Sequence, residues 1–301
     1  MDADRTPSRD ALGALPQYLL PQHLLTRCAH HVARCRIPSF KNVLINAFIR
    51  RYGVDMGEAE CADASGYADF NSFFTRGLRD GARPISPDAG VLVSPVDGEV
   101  SQSGALSGDT LLQAKGRTFT IAELLGGNTD VARFRNGRFA TLYLAPRNYH
   151  RVHIPVAGRL EGMSYIPGRL FSVNRATTAT VPRLFARNER IVCRFRTGAG
   201  EMIVCMVGAM LVGGMETVWH GPVTPAADRS ATDWSYGGTP AAREFAKGDE
   251  IGRFNMGSTA ILLFQANAVE WDPGLTPGTL LRVGQRIGRI NPRSPARETR
   301  P

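Results

Sequence analysis

Five short apolar segments fill the middle of the chain: TLYLA (141–145), RVHIPV (151–156), IVCRF (191–195), MIVCMVGAMLVGG (202–214) and ETVWHGPV (216–223). Gly, Pro or Asn bounds them, and most are too short for an ordinary helix. Before them stands SPVDGEV (94–100), and after them KGDEIGRFNMGSTAILLF (247–264) and RVGQRIGRI (282–290). The pattern restricts the fold to α+β: a β-rich, mostly antiparallel sheet core, with amphipathic helices only toward the N-terminus. The 32 Gly and 19 Pro fit a turn-rich body, and an apolar fraction of 43% excludes a disordered chain.

The N-terminal part follows a different period. In FKNVLINAFIRRY, Phe40, Val43, Leu44, Ala47 and Phe48 recur at helical spacing, with Ser39 as the expected N-cap after Pro38. Leu24, Leu25, Cys28, Val32 and Cys35 form a second stripe. From Ala11 to Val54 there is no Asp or Glu, while Arg27, Arg34, Arg36, Lys41, Arg50 and Arg51 add positive charge. Apolar stripes with basic decoration suit helices lying on an anionic bilayer; helices packed on the body are the plainer alternative. The expected organisation is a loose leader (1–17), a basic amphipathic region (18–66), a catalytic domain (67–291) and a disordered tail (292–301). The opening residues lack the basic and apolar regions of a secretory signal. No window reaches the ~20 apolar residues of a membrane span, and MIVCMVGAMLVGGM (202–215) reads as a pair of buried strands.

The net charge of +9 favours an anionic partner. No phosphate-binding loop or RNA-binding aromatic motif appears, so nucleic acid is not expected. Five cysteines without a C-x-x-C argue against a disulfide framework or a zinc site, and for a reducing compartment.

Few residues offer chemistry. Gly257 and Ser258 interrupt an otherwise strand-like run, RFNMGSTAILLF (253–264), as a bulge, a nucleophile or a breaking point. The G-x-S-x-G elbow is absent. His150 and His153, in NYHRVHIP, fall on opposite faces of an extended strand. With no further ligands close in sequence they suggest no metal, but either could act as base beside a nucleophile. Asp97, in Pro-x-Asp-Gly, reads as a turn residue with Gly98 supplying positive φ, or as the carboxylate that orients a histidine.

Taken in order, SPVDGEV, YLAPRNYHRVHIPVAG, IPGRLFSVN, LFARNERIVC, VGAMLVGGMETVW and KGDEIGRFNMGST resemble the bacterial phosphatidylserine decarboxylases over roughly residues 40–290. The family more commonly has Leu where Met256 stands, a mild apolar change. The resemblance implies a proenzyme that cuts itself between Gly257 and Ser258, giving a β chain (1–257) and an α chain (258–301) that stay together as a heterodimer. It implies a charge relay of Asp97, His153 and Ser258. It further implies conversion of Ser258 into a pyruvoyl cofactor, which forms a Schiff base with phosphatidylserine and yields phosphatidylethanolamine and CO2. His150 is the candidate for substrate contact or proton donation. With this substrate, the basic helices imply peripheral association with the cytoplasmic face of the bacterial inner membrane; a higher oligomer stays open. The alternatives are a serine hydrolase without self-cleavage, or a basic β-rich, lipoyl-like binding module.

Overall fold

A computed structural model describes residues 16–126, 131–210, 214–225, 230–255 and 258–291. Almost all of the expected leader, the tail from 292 onward, and Met256 and Gly257 lie outside the described residues. The core is a nine-stranded antiparallel sheet. Its order is Thr232–Ser235, Gly158–Ile166, Arg190–Thr197, Gly200–Val207, Ser258–Phe264, Arg138–Leu144, Gly98–Ala105 and Leu280–Leu281, with Glu244–Phe245 also paired to Gly158–Ile166. A four-stranded antiparallel sheet runs Gly221–Thr224, Met215–Thr217, Glu250–Phe254, Arg151–His153. Two small sheets complete the body, which is α+β and β-rich as its turn-bounded segments require.

Ser258–Phe264 is a central strand with all seven residues buried. Ala260, Leu262 and Phe264 face one apolar cluster, with Val152, Ile154 and Leu142. Ile261 and Leu263 face another, with Phe139, Ile203 and Cys205. Burial on both faces explains the continuous apolar run AILLF, where a half-buried strand would alternate. The Gly-Ser pair is therefore no gap within a strand, because Ser258 is its first residue. The segment 202–215 contributes two strands that do not form a pair: Gly200–Val207 lies in the large sheet, while Met215–Thr217 enters the four-stranded one.

The N-terminal helices are Pro16–Leu19, Gln22–Ala33 and Pro38–Tyr52. Ser39 is not the cap of the third. Ile37 takes that position without a side-chain bond, and Pro38 opens the helix with its φ already fixed. The helix ends at Gly53 in the left-handed region, φ 65°. Its inward residue is Ile45, packed in a third cluster with Tyr67, Phe70, Phe73 and Phe74. Phe40 and Val43, assigned to the apolar stripe, are exposed. In Gln22–Ala33 the polar face is the buried one. Gln22 and Thr26 face inward, and the Gln22 side chain bonds the Leu170 backbone N–H and the Gln17 carbonyl. Leu24, Cys28 and Val32, spaced by four, are exposed. Eight of the eleven exposed large apolar residues among those described fall between Tyr18 and Tyr52. None of the described helices is long and apolar enough to cross a membrane.

Candidate active site

Two chain crossings build the site. Ser258 pairs with Leu144 at the edge of the large sheet. Arg253 pairs with Arg151 in the four-stranded sheet, and the Phe254 N–H donates to the His150 carbonyl at 2.9 Å. Residues 145–150 therefore link the same two sheets in which Phe254 ends a strand and Ser258 begins one. The expected scissile bond immediately precedes Ser258. Gly257 is outside the described residues, so its flanks define the site. On the N-terminal flank Asn255 is held on three sides. Its N–H donates to the Gly214 carbonyl at 2.9 Å, its Nδ2 to Glu216 Oε1 at 2.8 Å, and its Oδ1 accepts from Asn71 at 3.4 Å.

On the C-terminal flank Ser258 is wholly buried, and among the described residues its Oγ has no hydrogen-bond partner. Strand alternation puts its side chain on the face of Ala260 and Leu262. His150 and Ile154 flank the strand Arg151–His153 and are buried, as Val152 is within it. His150 is also wholly buried. Its Nδ1 lies 2.8 Å from the Asn148 carbonyl, an acceptor only, so Nδ1 carries the proton and Nε2 presents a lone pair. That Nε2 has no partner either. Burial, reinforced by the Arg76 charge, pushes the His150 pKa down to about 3 against the pull of the Asn148 carbonyl, so the ring is neutral. Phe74 packs on it with ring centroids 4.0 Å apart. An unpaired buried hydroxyl costs on the order of 1–3 kcal/mol. Ser258 Oγ and His150 Nε2 are among the buried polar atoms left unpaired within the described residues, as are Thr141 Oγ1 and Thr259 Oγ1 on the paired strands Arg138–Leu144 and Ser258–Phe264.

His153 is arranged differently. Its backbone N–H donates to the Pro95 carbonyl at 2.8 Å, which ties the histidine segment to the Asp97 turn. Its Nδ1 lies 2.7 Å from the Gly248 carbonyl and its Nε2 3.0 Å from the Tyr149 hydroxyl. Nδ1 therefore carries the proton, and Tyr149 donates to Nε2. Burial lowers the His153 pKa, with Asp97 opposing weakly from a distance, and burial raises Tyr149 to about 12. Asp97 does not hydrogen-bond the histidine. Its carboxylate accepts from Arg83 Nε at 2.9 Å and from the Val283 N–H at 2.8 Å. Arg83 in turn donates to Glu58 at 2.7 Å. Thus Asp97 and His153 share a neighbourhood, the Gly248 carbonyl holds the tautomer, and the hydrogen-bonded relay through Asp97 is not assembled. Gly98 has no positive φ either. It is required because a Cβ there would meet the Tyr143 carbonyl oxygen at 2.5 Å. Replacing Arg83 by Met leaves Asp97 as an uncompensated buried charge and is expected to cost about 3–5 kcal/mol in urea unfolding. An unchanged midpoint would mean that the pair adds no net stability.

The helix Phe70–Phe74 had no assigned role in the sequence. A capping box of Asp69 and Ser72 fixes its start. It brings Asn71 to Asn255 and Phe74 to His150, and the residues after it continue the contact. The Thr75 carbonyl accepts from Arg151 Nε at 3.0 Å, and Arg76 Nη2 donates to the Arg147 carbonyl at 3.3 Å. The readable signal was the order Phe-x-x-Phe-Phe-x-Arg after an N-cap Asp; its partner in space was not readable.

Fold and site together define an α+β protein with a serine at the head of a buried central strand and a neutral histidine in the adjoining connection. Known proteins narrow this class. The family model described as phosphatidylserine decarboxylase matches residues 70–289, and one described as PSD matches residues 12–53. Among curated relatives, the phosphatidylserine decarboxylase proenzyme of Azotobacter vinelandii is 52% identical over 285 residues, 94% of this chain and 99% of that one. Proteins of the same name from Methylococcus capsulatus and Ectopseudomonas mendocina are each 50% identical, covering 90% and 93% of this chain and 94% and 98% of their own. The chain belongs to the phosphatidylserine decarboxylase family.

Proposed function

We propose that this chain is a proenzyme that cuts itself between Gly257 and Ser258 and then decarboxylates phosphatidylserine to phosphatidylethanolamine. The observation that carries the reading is Ser258 itself, wholly buried at the head of a central strand, with an Oγ that bonds nothing among the described residues. In the cut, Oγ gives its proton to a histidine and attacks the Gly257 carbonyl carbon, and the peptide C–N bond breaks to leave an ester. Loss of the Ser258 α-proton then expels Oγ with the Gly257 carboxylate. Water replaces the resulting imine nitrogen, which leaves as ammonia. Only a side-chain hydroxyl or thiol can both attack and depart in this way.

The residue so formed is a pyruvoyl group at position 258. A ketone at this position has no proton to donate, and the Oγ it replaces makes no hydrogen bond among the described residues. When present, that group supplies an electrophile for the substrate amine and a sink for the electrons released with CO2. His150 is assigned to proton transfer at the substrate, because its ring is neutral and its Nε2 lone pair is unengaged among the described residues. For the cut itself we keep the relay of Asp97, His153 and Ser258. It requires His153 Nε2 to exchange the Tyr149 hydroxyl for Ser258 Oγ. A second reading gives the cut to His150 as well, and is favoured by the same lone pair.

Intact-mass analysis of the purified protein tests the proposal. Two pieces are expected in place of one chain of 32.7 kDa, the smaller beginning at residue 258 with a blocked N-terminus and paired with the larger as a heterodimer. A single unmodified chain from competent expression would sink the reading.

The substrate is a lipid, and the N-terminal helices supply the corresponding surface. We propose that Leu24, Val32, Ile37, Phe40 and Val43 dip into the bilayer while the exposed Arg27, Arg50 and Arg51 face anionic headgroups. Leu24 is 59% exposed and Val43 68%, so replacing both by Asp removes no core contact. The double variant is expected to lose at least tenfold in binding to phosphatidylserine-containing vesicles with its unfolding transition unchanged. Equal binding would assign the anchor elsewhere. Cysteine usage favours the cytoplasmic face of the inner membrane: all five cysteines are free.

A further inference from the structure

We propose that Arg76 binds the phosphodiester of the serine phospholipid headgroup and so sets where the substrate sits; this rests on the decarboxylase reading above. Arg76 is only 4% exposed. Nη2 makes its single hydrogen bond, the long one to the Arg147 carbonyl, and the guanidinium lies 5.4 Å from the Phe73 ring centroid. Nε and Nη1 are buried with no partner, and among the described residues no carboxylate forms an ion pair with it. A buried cation without a counter-ion is expensive. An anion that arrives with the substrate removes that penalty.

The surroundings support a ligand rather than a missing protein partner. Arg76 lines a cavity of about 350 Å³ together with Arg83, Asp97, Arg147, Tyr149 and Arg282. The acids around this cavity are engaged. Asp97 and Glu58 are bound by Arg83, Glu58 also by Arg282, and Asp55 accepts from the Gly57 N–H. Arg76 also lies near His150. Its charge is felt at His150, and Phe74, two residues earlier, packs on the His150 ring.

Phosphatidylserine offers two anionic groups, and the reaction chooses between them. An arginine paired with the carboxylate would stabilise the ground state, and that stabilisation would vanish as the charge leaves carbon dioxide. The phosphodiester keeps its charge throughout, so holding it stabilises substrate and transition state equally. Arg76 is therefore a binding residue whose loss acts on KM.

The test uses the full chain and Arg76→Met, which fills the volume without a charge. Two measurements are made: decarboxylation in mixed micelles of defined phosphatidylserine content, and calorimetric binding of glycerophosphoethanolamine and of free serine. The proposal expects normal self-cleavage, KM raised at least tenfold with kcat within about threefold, and glycerophosphoethanolamine binding weakened at least tenfold with serine binding unchanged. The melting temperature should hold or rise, because an unpaired buried charge has been removed. Arg76→Lys should recover part of the lost affinity, and it carries the test if the Met variant does not fold. Unchanged KM and glycerophosphoethanolamine binding overturn the proposal, as does absence of such binding in the unsubstituted chain. Loss of serine binding alone overturns it in favour of the carboxylate. Failure of the decarboxylase reading is visible separately, as an uncut chain that releases no CO2.

Discussion

Ser258→Ala is expected to leave a single chain of 32.7 kDa with no decarboxylase activity above background. The substitution removes one oxygen from a wholly buried position, and that oxygen has no hydrogen bond to lose. An Ala methyl fits where a Ser hydroxymethyl fits, so the strand Ser258–Phe264 and its pairing with Arg138–Leu144 should survive. Stability should rise slightly, since an unpaired buried hydroxyl is exchanged for an apolar group. Lost cutting together with retained or increased stability is the diagnostic combination. A structural serine would show the reverse, a lower transition temperature and no change in mass. Ser258→Cys separates attack from elimination. A thiol can also attack and depart, so partial cutting is expected from it, and none from Ala. Two-piece processing of the Ala variant would refute Ser258 as the nucleophile outright.

Periodicity carried much of the fold and little of the site. The turn-bounded segments announced an antiparallel sheet system, and the run AILLF announced a strand, whose burial on both faces the structure adds. The segment 202–215 shows where such reading stops. Two apolar runs with Gly between them look like a hairpin, yet the chain places them in different sheets, because pairing depends on contacts far away in sequence. The helix Gln22–Ala33 fails in an instructive way. Its apolar stripe was legible, but which face is buried depends on what the body offers, and the body offers the backbone N–H of Leu170 to Gln22. The site divided similarly. Ser258, His150 and His153 stand out by residue type and spacing, and strand alternation separated the two histidines. The commitment of Asp97 to Arg83 could not be read, because the two stand fourteen positions apart with the strand Val91–Val93 between them, and the sequence offers many arginines. Nor could Phe74 and Arg76 be tied to His150, since that contact joins a short helix to a connection more than seventy residues away.

The two histidines should part company when each is replaced by Ala. His153→Ala is expected to slow or abolish cutting. His150→Ala is expected to be cut and yet lose about 10²-fold or more in decarboxylation, the usual range for a general acid or base. Opposite strand faces make the separation possible. His153 sits toward the Tyr149–Gly248 side, its backbone fastened to the Asp97 turn, whereas His150 packs on Phe74 and its Nε2 is unpaired among the described residues. The state of His150 adds a pH argument. Its folded pKa of about 3 lies below the value near 6.5 of an unfolded histidine. It therefore contributes stability above pH 6.5 that is lost as pH falls from there toward 3, and His150→Ala should flatten that limb of the unfolding curve. Activity of the cut enzyme should not fall through protonation of His150 between pH 5 and 7, because the ring is already neutral and stays so. Tyr149→Phe completes the set. It frees His153 Nε2 from the donor that occupies it, so cutting should be as fast or faster if His153 is the base. If instead His150→Ala stays uncut while His153→Ala and Tyr149→Phe process normally, the His150 lone pair serves both steps, and Asp97 and His153 act only by holding the connection in place.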